Sequence, residues 1–147
     1  MTYRLVTLIA ATVVLAACST GRPKERINPP AVSIQELHVD GTRCLVQLRV
    51  HNHSSVSMRF RDIRLDVLEV DGRDLAPLAF DAQREIPPYT GEPIRHELPC
   101  PSMTDNASEL VYRLSGTVNT DQPHNRRFDV RHNSRLLPVP GLPATWR

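Results

Sequence analysis

The rhythm of the chain constrains its fold more than any single motif: from Ala31 to about Leu136, short runs of alternating apolar and polar residues are cut repeatedly by Gly, Pro, Asp and Asn. Alternation with a period of two puts every second side chain on one face of an extended strand, and no long stretch keeps the three-and-four spacing of a helix. Ala31 to Val39 reads as a first strand, with Val32 and Ile34 in one phase and Leu37 and Val39 in the other, which suggests a bulge between the pairs. Cys44, Val46, Leu48 and Val50 give the buried face of a second strand after a turn at Gly41. A third runs from about Phe60 to Val70, with Ile63, Leu65 and Val67 pointing one way and Arg64, Asp66 and Leu68 the other. Asp71-Gly72 then supplies a tight turn and a short return through Leu75. Leu78 to Ile86 is stopped by Pro87-Pro88, which cannot continue a ladder. Three more alternating runs follow: Ile94, His96, Leu98 and Cys100; Leu110, Tyr112, Leu114, Gly116 and Val118; and Arg126 to Leu136 with Phe128 and Val130 inward. About seven strands in roughly a hundred residues imply an all-β, immunoglobulin or fibronectin type III-like β-sandwich.

A length of 147 residues suits one domain. The formal charge of +2 gives no footprint for nucleic acid, and 23% charged residues among ample Val, Leu and Ile argue against global disorder. The amino terminus has its own signal. Met1 to Arg4 carries one positive charge, and the apolar stretch Leu5 to Ala17 falls short of the roughly twenty residues of a membrane span. Leu15-Ala16-Ala17-Cys18 resembles the bacterial lipoprotein box, in which the chain is cut between Ala17 and Cys18 and the Cys18 thiol carries lipid. The expected organisation is a signal peptide over 1–17, a lipidated start and proline-rich spacer over 18–30, the sandwich over 31–136, and a proline-rich, extended tail over 137–147 whose Trp146 can pack on the domain. The spacer, with little apolar content, is expected not to pack. The expected address is the bacterial cell envelope, tethered to a membrane through Cys18; Ser19 after the cysteine points to the outer membrane, facing the periplasm.

Three stretches together resemble the water stress and hypersensitive response domain of group-two late embryogenesis abundant proteins: Val50 to Ser54, Ile63 to Leu75, and Ile86 to Ile94. The family pattern is a strand ending in Asn, a long strand into a Gly-containing turn, and Ile-Pro before a short polar turn. Asn52, Gly72 and Ile86-Pro87 occupy those positions, while His53 stands where the family often has Pro. The resemblance spans about residues 31 to 136 and implies a fibronectin-like sandwich associated with desiccation tolerance, often carried on an envelope lipoprotein. It implies no catalytic residues.

Cys44 and Cys100 both fall on the apolar phase of their strands, and in an oxidising compartment they can pair if the second and fifth strands are antiparallel neighbours. Two separate buried thiols are the alternative. His51 and His53, two apart, would share a strand face and could start a zinc or copper site, but no further His or Cys has suggestive spacing, so exposed loop-end histidines are the simpler reading and no metal is expected. Asp62, Asp66, Glu69, Asp71 and Asp74 interleaved with Arg59, Arg61, Arg64 and Arg73 read as a solvated face with cross-strand ion pairs. Asn52 and Asn106 fit a glycosylation sequon and read as loop asparagines. No hydrolase, phosphate-loop or zinc-protease motif occurs, so the expectation is a protein without catalysis or cofactor, either protective under stress or scaffolding an envelope protein partner through an edge strand.

Overall fold

The computed structural model describes residues 24–103 and 107–147, so the signal segment, Ala17 and Cys18 lie outside the described residues. Strand β1 (Ala31–Asp40) turns at Gly41 into β2 (Arg43–His51), and the two pair antiparallel from Ala31 with His51 to Asp40 with Arg43. A register shift between Ile34 and Glu36 inserts one residue, and this bulge is what allows Val32, Ile34, Leu37 and Val39 all to be buried. Strand β3 (Met58–Val70) passes through Asp71-Gly72, both at positive φ as a tight hairpin turn demands, into the two-residue β4 (Arg73–Asp74). Strand β5 (Leu78–Ile86) then runs back along the first half of β3, pairing Leu78 with Leu65 and Ile86 with Met58.

At Pro87-Pro88 the ladder stops and the chain crosses to the other layer, where β6 (Gly91–Pro99) pairs along the whole of β2. Strands β7 (Leu110–Gln122) and β8 (Arg126–Leu136) complete the layer of β3, and β9 (Thr145–Trp146) adds to β1. Two antiparallel sheets result, ordered β6-β2-β1-β9 and β4-β3-β7-β8 with β5 also on β3. Between them sit Leu37, Leu48, Phe60, Ile63, Leu65, Leu114 and Trp146, each almost fully buried. Side chains of this size contribute about 1.5–3 kcal/mol each when removed from water. The sandwich expected from the sequence is present, with nine strands among the described residues because β4 and β9 add to the seven.

Three details differ from expectation. Simple alternation puts Val67 inside and Leu68 outside, but a register shift against β7 between Leu65 and Val67 changes the phase, so Leu68 and Val70 are buried and Val67 is half-exposed. Gly116 faces Leu65 at this bulge, and a β-carbon there would collide with the Arg64 carbonyl oxygen. Trp146 packs on the domain as expected, but the 137–147 segment is more than an extended tail: Leu137 and Arg147 exchange backbone hydrogen bonds of 2.6 and 2.8 Å, Thr145 and Trp146 pair with β1, and the Trp146 indole N–H donates to the Ala107 carbonyl at 3.0 Å. Its prolines suit a strand of only two residues bounded by loops. The spacer also packs at its end, with Ile27 against the hydrophobic core and with the polar groups described next.

Candidate functional site

Asn52 follows directly on β2 at the start of the loop to β3, and its side chain is completely buried. Its amide nitrogen donates to the carbonyls of Val56 (2.9 Å), Ile86 (2.9 Å) and Pro87 (3.1 Å), while its Oδ1 accepts the Ser54 N–H at 2.8 Å. Its own backbone N–H donates to Thr90 at 2.8 Å. One side chain therefore joins the end of β2, the end of β5 and the crossover to β6, meeting backbone groups that the prolines and loops leave without ladder partners. Such burial closes Asn52 to glycosylation in the folded domain.

Ser54, equally buried, ties down the incoming chain. Its Oγ accepts the Asn28 N–H at 2.9 Å, and Ser55 exchanges bonds with Arg26 through its Oγ and its N–H, at 2.8 and 2.9 Å. Asn28 Nδ2 also donates to the His53 carbonyl at 2.8 Å. Residues 26–28 are thus held on the domain at the end of the sandwich where β1 begins.

The same end carries a cationic groove. Arg59 lies across Asp121 with bonds of 2.6 and 2.9 Å, and Arg61 reaches Asp121 at 3.1 Å and Asp81 at 3.3 Å. The Arg59 hydrogen bond holds the Asp121 carboxyl below its ordinary range, and Gln83, with Arg61, does the same for Asp81. Beside them Arg126 and Arg127 line a groove of about 550 Å³ with Asn119, Thr120 and Asn125. Neither arginine has an ion-pair partner among the described residues. Of the residues expected to form cross-strand ion pairs only three do so, and with partners from other strands: Arg59 and Arg61 pair with β7 and β5, and Glu69 pairs with Arg113, while Asp62, Asp66, Asp71, Asp74, Arg64 and Arg73 form none among the described residues.

The remaining sites flagged in the sequence disperse. Cys44 and Cys100 are disulfide-bonded with Cα atoms 5.0 Å apart, an arrangement set up by the pairing of β2 with β6. Closing a loop with a sequence separation of 56 contributes about 2–4 kcal/mol. The bond lies at the end of the sandwich opposite Asn52. His51 and His53 stack with ring centroids 4.3 Å apart. Burial, then the neighbouring His53 and Arg49 charges, push the His51 pKa down. Among the described residues no group of three or more His, Cys, Asp or Glu is gathered closely enough to hold a metal ion.

His96 was legible only as an inward position of its strand. Its ring lies tilted against Phe80 with centroids 4.0 Å apart, its Nε2 is buried without a partner among the described residues, and burial lowers its pKa. The unfolded chain, with His96 at about 6.5, therefore binds more protons in mild acid than the folded one. Stability is expected to be held above pH 6.5 and to fall below it, levelling off below the depressed folded pKa. His96→Phe should flatten that fall in urea titrations across pH 7 to 5, leaving a smaller slope of the same sign from His51; an unchanged slope would refute the assignment.

No protein-family model and no curated protein matches the chain. Its fold is similar to the solution structure of AT1g01470 from Arabidopsis thaliana, with a TM-score of 0.53 at 15% identity over 80% of this chain and 84% of that one. A likeness at that identity concerns the architecture of the two chains.

Proposed function

We propose that this chain is a membrane-anchored envelope lipoprotein whose sandwich acts without catalysis, in protection against water loss. The observation that carries the reading is Leu15-Ala16-Ala17-Cys18 at the end of a short apolar run. It is supported by the resemblance of Asn52, Gly72 and Ile86-Pro87 to the water stress domain and by the similar fold of the Arabidopsis protein. The hydrogen-bonding capacity of Asn52 and Ser54 is engaged in holding the fold, which fits a structural rather than a chemical role for that loop.

Cys18→Ala should move the protein from the membrane fraction to the soluble fraction and abolish labelling with radioactive palmitate. Vesicles dried with the purified protein should retain an entrapped dye that they lose without it. A soluble wild type sinks the anchor, and equal dye loss sinks the protective role. A scaffold role is favoured by a different observation: β5 and β6 each border a sheet, with one backbone edge unpaired among the described residues. Loss of dye protection together with one dominant crosslinked protein on those strands would establish that reading instead.

A further inference from the structure

We propose that the Asn52 end of the sandwich is a docking face for an anionic lipid surface, so that the domain sits on its own membrane with its basic end down. The inference rests on the lipid-anchor reading of Cys18. Between Cys18 and Lys24 lie only Ser19 to Pro23, a reach of about 20 Å even when fully extended. The next residues are not free to swing the domain away, because Arg26 and Asn28 are bonded to Ser54 and Ser55. The lipid would therefore hold this end of the domain, and no other, within reach of the headgroups.

The chemistry of that end fits the surface. Arg84 and Arg126 lie in one row across the sheet, each opposite a member of the Phe60–Thr120 pair, and Arg127 stands one position further, opposite Asn119. All three are exposed and without an ion-pair partner among the described residues. Lys24, Arg26 and Arg49 add charge from the other layer, where His51 and His53 also sit. The acids here are partly spent: Asp121 and Asp81 are held by Arg59 and Arg61, leaving Glu25, Asp62, Glu85 and Glu92. Tyr89, exposed at the tip of the β5–β6 crossover, supplies an amphipathic ring of the kind that settles at headgroup level. The opposite end carries Asp40, Asp71 and Asp74, all exposed, at its turns, and of the two arginines in those turns Arg43 is paired with Glu97 while Arg73 donates to the Ser102 carbonyl. A domain polarised in this way is turned by an anionic surface with Arg126 and Arg127 toward it.

The test uses the mature protein purified from membranes and reconstituted in vesicles of phosphatidylcholine alone or mixed with phosphatidylglycerol. The mass of its amino-terminal peptide comes first: an unmodified Cys18 removes the anchor reading and this proposal with it. With Cys18 acylated, hydrogen exchange is compared between the two vesicle types. Peptides covering 82–93 and 119–128 should exchange on the order of tenfold more slowly in the anionic vesicles, and added salt should reverse the difference. The double variant Arg126→Glu, Arg127→Glu should lose the protection with unchanged melting, while Arg131→Glu, further along β8, should keep it. Equal exchange in both vesicles, or protection that survives the double reversal, overturns the proposal and leaves the anchor standing. Protection in native membranes but not in pure lipid overturns it in favour of an acidic protein.

Discussion

Asn52→Ala is expected to lower the unfolding free energy by on the order of 4 kcal/mol, far more than its place in a short polar loop suggests. The substitution strips a fully buried side chain from the carbonyls of Val56, Ile86 and Pro87 and from the Ser54 N–H. Each group left unpaired where water cannot reach it costs about 1–3 kcal/mol, and the Ile86 carbonyl is the most enclosed of the three. Asn52→Asp should be worse, since it keeps the acceptor for Ser54 but turns a second oxygen toward three carbonyls. His53→Ala, on the exposed neighbour, should change little. Denaturant unfolding of the three variants checks this, and a loss below about 1 kcal/mol for Asn52→Ala would show that water or loop movement satisfies those carbonyls. The same variant should make residues 24–30 quicker to proteolyse, because Ser54 is positioned by Asn52.

Trp146→Ala should cost about 3–5 kcal/mol, the range for emptying a large aromatic site in a packed interior. The indole is 1% exposed, lies between the sheets and donates to Ala107. Phenylalanine at this position should recover most of the loss, failing only to supply the N–H. Because Trp146 is the single tryptophan, the comparison needs circular dichroism or calorimetry rather than fluorescence. A change within about 0.5 kcal/mol would mean that the segment 137–147 is dispensable and that β1 keeps its edge without β9.

Much of this architecture was readable in the pattern of side chains. The bulge of β1 followed from two apolar pairs in opposite phases, and Asp71-Gly72 announced its own turn. The phase of β3 could not be read, because Leu65, Val67, Leu68 and Val70 satisfy either register, and only the partner strand, through Gly116, selects one. The role of the last residues was obscured by proline, which marks a segment unable to form a long strand but leaves two residues free to complete a sheet. At the candidate site the basic residues were visible as a charged face. Their partners Asp121 and Asp81 were not, since they come from β7 and β5. Asn52 was legible as a family position, but its burial depends on Ile86 and Pro87 arriving from a distant strand.

The Cys44–Cys100 bond has a topological side. It joins β2 to the residue that follows β6 in the same sheet, yet the chain it encloses contains β3, β4 and β5, which all belong to the other. The covalent ring therefore passes through both layers, and the sheets of an oxidised molecule can loosen against one another but cannot drift fully apart. Unfolding such a chain opens a loop rather than releasing a line, so the oxidised protein keeps its two layers within reach of one another for refolding.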